Sequence, residues 1–232
     1  MIFDARTPEA SLVAACRDVQ ADSFECAFEE LYRRYRDRVY SIAYRMTGTA
    51  TDALDVVQDA FRVLFLKIST FRFDAQFSTW LFRIVVNCSN DHRRRLTGRR
   101  RPTPVSLSNL QVDLDVEDQR EGPIESAQSA EAGEHVHAAL LRLSPKLRAV
   151  LVLRYLEGLS YEELGETLQV QPGTVKSRLA RAHVALEREL AGSAASLGFG
   201  SLPVEDEEDG DDGDRSEGRE SPASSGSQEG VA

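Results

Sequence analysis

Apolar side chains recur every three or four positions through most of the first hundred residues. One such run starts at Ser23 and stops at Gly48, which predicts a long amphipathic helix that ends at the glycine. A second run, capped by Thr51, continues to Ile68 and predicts a second helix with one apolar stripe. The apolar positions of the two runs are Phe24, Phe28, Leu31, Tyr35, Val39, Ile42, Met46, Leu54, Val57, Phe61, Leu64 and Ile68.

The segment from Ser69 to Phe77 interrupts this period and is interpreted as a loop. After it, Ser78 or Thr79 can cap a third helix that runs through an apolar stretch into the basic residues ending at Arg95. The first hundred residues therefore predict three helices and one aromatic-rich loop.

A second block of helical pattern starts at residue 134. Ser144 followed by Pro145 is a typical helix start, and the helix should end at Gly158. Ser160 and Glu163 form a capping box for a shorter helix, and a last helix should begin at Pro172 and reach about Leu190. Neither block contains a strand-like alternation of useful length, so the predicted class is all-α.

Segments poor in apolar residues divide the chain. Residues 102–133 combine proline, glycine and acid and are too long for a connection within one compact domain. Residues 191–232 carry 11 acidic and 2 basic residues and are predicted to form a disordered tail. The expected order is a lead-in (1–22), a first domain (23–101), an acidic linker (102–133), a second domain (134–190) and the tail (191–232).

The formal net charge of −10 is unevenly distributed. The linker and the tail carry −6 and −9, whereas residues 1–101 carry +4 (17 basic against 13 acidic) and residues 134–190 carry +1 (8 against 7). The parts predicted to fold are thus mildly basic, and the acidic total does not exclude a nucleic-acid partner.

Several classes of function find no support in the sequence. Cys16, Cys26 and Cys88 are odd in number and lack the spacing of a zinc site, which favours reduced thiols and no metal. No targeting segment and no apolar run of about 18 residues occurs, so we expect a cytoplasmic protein without membrane insertion. No catalytic residue and no cofactor is predicted.

The short helix after Ser160, the tight turn at 168–170 and the last helix follow the order of a helix-turn-helix, whose second helix enters the major groove of DNA. Val175 and Leu179 should face the core. An ordinary helical hairpin with a solvated basic face is the alternative. The candidate DNA contacts are Thr174, Lys176, Ser177, Arg178 and Arg181, with Arg178 placed to bind phosphate and Arg181 to bind a guanine or a phosphate.

A second basic region covers the end of the third helix. Its arginines are Arg83, Arg93, Arg94, Arg95, Arg99, Arg100 and Arg101. Arg83, Asn87, Asn90 and Arg94 fall on one helical stripe that suits a nucleic-acid backbone. The neighbouring loop offers Phe71, Phe73 and Phe77, and aromatic rings beside arginines suit unstacked bases. For these rings and for Trp80, core packing is the alternative.

Three stretches resemble one family. DALDVVQDAFRVLF (52–65), FRFDAQFSTWLFRIVVNCSNDHRRR (71–95) and LSPKLRAVLVLRYLEGLSYEELGETLQVQPGTVKSRLARAHVALE (143–187) are similar to the two conserved domains of extracytoplasmic-function sigma factors of RNA polymerase. The resemblance covers about two thirds of the chain, with both blocks in the family's order. Leu54 departs from the family's usual acidic residue, and Ala180 is smaller than in some relatives.

The resemblance implies a role for each matching segment. One helix docks on core RNA polymerase through Asp55, Gln58, Asp59 and Phe61. The loop from Ser69 to Gln76, with Phe71, Arg72, Phe73 and Asp74, matches the one that captures a flipped base of the −10 promoter element, and Asn87 through Arg94 match the neighbouring upstream DNA contacts. Arg83 joins these −10 candidates through its place on the helical stripe. The −35 element is read by Lys176, Ser177, Ala180 and Arg181. Promoter DNA, core polymerase and an anti-sigma factor are the implied partners.

Two other functions compete with a sigma factor. An autonomous helix-turn-helix regulator would bind operators as a dimer, but the first domain shows no heptad seam. A nucleic-acid enzyme would use Asp52, Asp55 and Asp59 as metal ligands, but no histidine is expected to complete that site. Two readings also remain open for the acidic segments. The linker resembles the family's segment that passes through the RNA path of the polymerase, where its negative charge would imitate RNA, and the alternative is a solvated tether. The tail either covers the basic residues of the last helix by charge attraction or is a passive extension.

Overall fold

Within residues 3–4, 6–98 and 125–197, which the computed structural model describes, eight α-helices and one turn of 3-10 helix (Ile68–Thr70) occur without a strand. Of residues 125–131 and 192–197 only the backbone is described. The predicted all-α class is confirmed. The helices are α1 (Glu9–Ala15), α2 (Phe24–Thr47), α3 (Ala50–Lys67), α4 (Phe77–Leu96), α5 (Glu125–Arg142), α6 (Pro145–Glu157), α7 (Tyr161–Leu168) and α8 (Pro172–Leu197).

The long first helix ends where its glycine predicts. Gly48 has φ of 102°, and its N–H donates to the carbonyl of Tyr44 at 2.9 Å. The predicted cap of α3 at Thr51 is wrong. Thr49 is already extended, and its Oγ1 accepts from the N–H of Asp52 at 3.1 Å, so the chain reverses within two residues and Thr51 lies inside the helix.

The predicted caps of α4 are also wrong. The helix begins at Phe77 after Gln76, whose side chain makes no capping bond. Phe77 is buried, and its ring contacts those of Tyr35 and Phe71. Packing of one aromatic ring therefore defines this helix start, whereas a hydroxyl cap was expected.

Helices α1 to α4 form the N-terminal bundle. The unexpected element is α1, a seven-residue helix in the segment expected as a lead-in. Leu12, Val13 and Cys16 are fully buried, and α1 packs on α2. The lead-in therefore belongs to the core of this bundle.

Helices α5 to α8 form the C-terminal bundle. The capping box of α7 is confirmed, because Ser160 Oγ accepts from the N–H of Glu163 at 3.2 Å and Glu163 Oε2 accepts from the N–H of Ser160 at 2.8 Å. Gln169 turns the chain with φ of 54°, and a Cβ on Gly165 would lie 2.9 Å from the carbonyl oxygen of Val170. A tight turn at Gln169 thus joins α7 to α8.

The two bundles contact each other, since α2 packs on α5 and α6, and α4 packs on α7. The independence of the two expected domains stays a prediction. Helix α5 begins at Glu125, inside the expected linker, and α8 continues seven residues beyond Leu190. The rest of the linker up to residue 124 and the tail from residue 198 lie outside the described residues.

Candidate nucleic-acid interface

The first turns of α8 present a polar surface. Val175 and Leu179 are buried, as predicted for the inner face of this helix, and Ala182 is buried beside them. Lys176, Ser177 and Arg181 are exposed, and Thr174 and Arg178 are half-buried. The helix-turn-helix therefore folds with its predicted contact residues toward solvent.

Local hydrogen bonds order two of these side chains. Ser177 Oγ donates to the carbonyl of Thr174 at 3.1 Å, and Arg181 Nε donates to the carbonyl of Ser177 at 3.1 Å. The stem of Arg181 thus lies along the helix backbone. Such restraint lowers the entropy cost of presenting a guanidinium to a base edge.

The loop between α3 and α4 places its aromatic rings in different surroundings. Phe71 is 5% exposed and packs on Phe77 and Trp80, with ring centroids 5.7 and 5.2 Å away. The ring therefore belongs to the core in this conformation, and its expected contact with an unstacked base stays a prediction that this packing does not favour. Trp80 also packs there, as its apolar position indicated.

Phe73 is the exposed ring of this loop. Its side chain is 43% exposed, and its backbone has φ of 59°, which is rare for a residue with a bulky side chain. Such strain persists only where the surroundings enforce it, often at binding sites. Arg72 and Asp74 flank this ring and are exposed.

The surroundings of Phe73 include a residue that the sequence did not indicate. The guanidinium of Arg17, two residues beyond the end of α1, lies 5.9 Å from the centroid of the Phe73 ring, within the range of a cation–π contact. Phe71 contacts the same ring from the core side at 5.0 Å. Helix α1 thereby supports the candidate base-binding loop, and no local pattern could connect positions 56 residues apart.

The predicted stripe on α4 is present. Asn87 and Arg94 are exposed, and Arg83 and Asn90 are half-buried. A cavity of about 890 Å³ borders the stripe, and its other wall includes the start of α6 from Ser144 to Lys146. Arg94 is paired with Asp91 on the same helix. Arg99, Arg100 and Arg101 lie outside the described residues.

The candidate docking surface on α3 is smaller than predicted. Asp55 and Gln58 are exposed. Asp59 is half-buried, and its two oxygens accept from Arg62 at 2.8 Å and from Arg95 at 3.0 Å. Phe61 is 3% exposed and packs edge-on against Tyr32, so it offers almost no surface here, and its expected role in docking stays a prediction. It belongs to the apolar stripe of α3.

The prediction that no histidine joins the acidic residues of α3 is wrong. His92 Nε2 lies 2.8 Å from Asp52 Oδ1, and ligand atoms of Asp52, Asp55 and His92 all lie within 4.8 Å of one another. Hydrogen bonds from His92 and Thr49 hold the pKa of Asp52 below its ordinary value. The observed contact joins α3 to α4, and Asp59 is not part of it.

Two family models match the chain in the expected order. The model of sigma-70 region 2 matches residues 31–99, and that of sigma-70 region 4 matches residues 134–186. In the described residues, no helix has the length and apolar character needed to cross a bilayer.

Curated relatives match over most of their own length. The chain is 32% identical over 170 residues to the extracytoplasmic-function RNA polymerase sigma factor SigW of Bacillus subtilis, covering 71% of this chain and 89% of the relative. It is 34% identical over 169 residues to the RNA polymerase sigma-H factor of Pseudomonas aeruginosa, covering 71% and 86%.

Solved structures share the fold. CnrH, solved in complex with the cytosolic domain of CnrY, is 25% identical with a TM-score of 0.56, covering 80% of this chain and 99% of that one. The sigma factor RpoE, solved with the anti-sigma factor NepR from Bartonella quintana, is 22% identical with a TM-score of 0.52, covering 71% and 96%.

Proposed function

Because the chain belongs to the extracytoplasmic-function sigma factors of the sigma-70 family, we propose that it joins core RNA polymerase to promoter DNA. Three surfaces carry this role, namely the α3 docking surface, the loop before α4 together with the α4 stripe, and the first turns of α8. The protein directs the polymerase to promoters and promotes DNA opening. The observation that carries this function is the presence of both sigma-70 regions in one chain, with the α3 and α8 surfaces exposed.

An autonomous helix-turn-helix regulator is not favoured. Such a protein has no need for the N-terminal bundle, which matches the sigma-70 region 2 model over α2 to α4. A gel-shift experiment separates the two functions. A sigma factor shifts promoter DNA strongly only together with core polymerase. A strong shift by the protein alone would indicate an autonomous regulator.

Affinity for the promoter should come from two weak sites held at a fixed spacing. Each bundle presents a small, mildly basic surface, so neither should bind DNA tightly alone. When core polymerase holds both bundles, binding of one bundle to DNA brings the other close to its own element, so the second binding step is intramolecular. The overall affinity for the promoter then rises without new contacts. The α3 surface with Asp55 and Gln58 supplies the polymerase contact for the N-terminal bundle.

Opening needs no catalytic side chain. Extruding a base costs a few kcal/mol, and stacking on an aromatic ring returns about 1–3 kcal/mol per base. Phe73 offers this ring beside Arg72 and Asp74, and the α4 stripe binds the adjacent backbone. The family is one of transcription initiation factors, and we infer that the chain itself catalyses no reaction.

The partners follow from this role. Core polymerase and promoter DNA bind the surfaces described above, and both would place the protein in the cytoplasm. An anti-sigma factor is the third proposed partner, because a sigma factor of the same fold was solved with one.

Arg181→Ala and Arg178→Ala should weaken DNA binding in different ways. Loss of Arg181 should cost about 1–3 kcal/mol at one or two −35 positions, because its exposed guanidinium reads base edges. Loss of Arg178 should weaken all sequences alike and lower the salt slope by about one. Binding titrations of the holoenzyme on single-base variants measure both. An even loss across all −35 variants for Arg181→Ala would refute its base-reading role.

Removal of the acidic tail tests whether it masks α8. Because α8 extends to Leu197, the truncation belongs after that residue. The tail residues Glu205 to Asp214 are acidic apart from two glycines, so masking of Lys176, Arg178 and Arg181 predicts tighter non-specific DNA binding by the truncated form. The gain should appear mostly at low salt, where charge attraction is least screened. Equal binding at low salt would leave the tail a passive extension.

A further inference from the structure

The cavity beside the end of α4 is strongly cationic. Its volume of about 890 Å³ lies within the range of sites that bind small organic molecules. Two carboxylates line it, against six cationic side chains, so the lining carries a formal charge of +4 that attracts anions. The carboxylates are those of Asp59 and Asp91, and the cations are Arg62, Lys67, Arg93, Arg94, Arg95 and Lys146.

Both carboxylates of the cavity are already paired. Asp59 accepts from Arg62 at 2.8 Å and from Arg95 at 3.0 Å, and Asp91 accepts from Arg94. Within the part of the chain that the structure describes, no carboxylate forms an ion pair with the other three cations. These three are Lys67, Arg93 and Lys146. The excess positive charge is therefore available to a bound anion.

Arg93 gives the most specific indication of an anion. Its Nη1 is buried and finds no acceptor among residues 3–4, 6–98 and 125–197, although a buried donor without an acceptor is costly and rare. Its guanidinium also lies near a second buried cation. Burial, and then the charge of Arg93, lower the pKa of Arg148 to about 10. An anion beside Arg93 would accept from Nη1 and offset this repulsion.

The start of α6 adds a helix terminus to the same cavity. Ser144, Pro145 and Lys146 line the cavity, and α6 continues from there for 13 residues. Ser144 is exposed, and its hydroxyl makes no capping bond to the helix. The positive end of a helix dipole attracts phosphate groups, and a free hydroxyl can donate to one. The helix start and Arg93 thus favour the same kind of ligand.

The cavity also has an apolar side. Val63, Leu66 and Ile84 belong to its lining, and Leu66 is 43% exposed although it is a large apolar residue. An inorganic anion leaves such a surface in water, whereas the organic part of a larger ligand can cover it. Since one phosphate group carries a charge of only about −2, at least two are needed to balance the lining.

We propose that this cavity binds a small molecule with a chain of two or more phosphate groups, of the chemical class of the nucleoside polyphosphates. Arg93, Lys146 and the start of α6 hold the phosphates, and Val63 and Leu66 contact the organic part. The site lies beside the α4 stripe, and it is defined by residues of α3, α4 and α6. The inference concerns the free protein and does not depend on the proposed promoter surfaces.

Calorimetric titration of the full-length protein tests the site. The probes are inorganic triphosphate and ATP, each in a buffer without divalent cations and at 0.15 M salt, where weak surface attraction is largely screened. Both should bind at one site, and ATP should bind more tightly because it adds contact with Val63 and Leu66. The absence of binding by either probe would overturn the proposal, and tighter binding of triphosphate than of ATP would overturn the nucleotide class.

Variants of the lining locate the bound anion. Arg93→Met should weaken binding of both probes about tenfold or more, because a charged hydrogen bond to the phosphates is lost. Lys146→Gln should weaken it about threefold, since its charge is exposed. Arg142→Gln is the matched control, because it removes one exposed charge of the same bundle outside the cavity, and it should leave binding unchanged.

A second control separates the cavity from the stripe that is proposed to bind DNA. Arg83 lies on the α4 stripe and does not line the cavity, so Arg83→Ala should bind both probes as the wild type does. An equal loss with Arg83→Ala or Arg142→Gln would show general attraction to basic residues and would overturn the site. Unchanged binding by Arg93→Met would do the same.

Thermal unfolding distinguishes a ligand-binding role of Arg93 from a structural one. Without ligand, Arg93→Met should unfold at the same temperature as the wild type or higher, because it removes an unpaired buried donor and a charge near Arg148. ATP should raise the unfolding temperature of the wild type and not that of the variant. If Arg93→Met fails to fold, Lys146→Gln tests the site from an exposed position. These measurements use neither polymerase nor DNA, so a failure of the sigma function leaves their result unchanged.

Discussion

Asp55→Arg should reduce the affinity of the protein for core RNA polymerase by about 100-fold, equivalent to about 2.7 kcal/mol. Asp55 is exposed on α3 and lies on the surface proposed above to dock on core polymerase. The proposed contact pairs this carboxylate with a positive charge of the partner, so a cation at position 55 should replace an attraction by a repulsion. Fluorescence anisotropy of labelled protein titrated with core polymerase measures the change, and adding Gln58→Ala should weaken binding further.

The controls for this experiment come from the same bundle. Glu25→Arg makes the same charge change at an exposed position in the first turn of α2 and should leave docking nearly unchanged. Asp59→Arg is a poor choice, because Asp59 bonds to both Arg62 and Arg95 and its loss would also loosen α3 from α4. If neither Asp55→Arg nor Glu25→Arg changes the affinity for polymerase, α3 is not part of the docking surface.

Phe73→Ala should lower the equilibrium constant for promoter opening by about 5- to 150-fold, the range that corresponds to about 1–3 kcal/mol of lost base stacking. The strained backbone at φ of 59° is the same for alanine as for phenylalanine, because both carry a Cβ. The substitution therefore removes the ring without adding strain. Permanganate reactivity of unpaired thymines in the −10 element, measured with the holoenzyme, reports opening.

Two further variants separate stacking from general disturbance of the loop. Phe73→Tyr keeps an aromatic ring and should open promoters as the wild type does. Arg17→Ala removes the cation beside the ring and should reduce opening by a smaller factor, because the ring itself remains. Normal opening by Phe73→Ala would show that the base is captured elsewhere in the loop.

Periodicity predicted most of the helices because amphipathic stripes are local. The extents of α2, α6 and α7 follow from such stripes and from Gly48, Gly158 and the capping box at Ser160. Helix α1 was missed, since seven residues with two buried side chains give too short a pattern. The start of α4 was misplaced because Phe77 anchors it by tertiary packing, which no sequence window contains.

The candidate sites were predicted less completely, for a related reason. Phe71 and Phe73 are two residues apart in one loop, and only packing on Trp80 decides that Phe71 is the buried ring. The contact between Asp52 and His92 joins positions 40 residues apart, and the bond from Arg148 to Met46 spans 102 residues. Such long-range pairs carry no periodic signal, so only the fold reveals them.

Promoter-dependent transcription reconstituted from purified components tests whether the protein is a sigma factor. Core RNA polymerase that lacks any sigma factor is combined with this protein and with a template carrying the promoter of its own operon, and transcripts of defined length are counted. Initiation at one start site should require the protein, should be lost with Asp55→Arg and should be retained with Glu25→Arg. If wild-type protein that binds core polymerase normally gives no defined transcript, the protein is not a sigma factor.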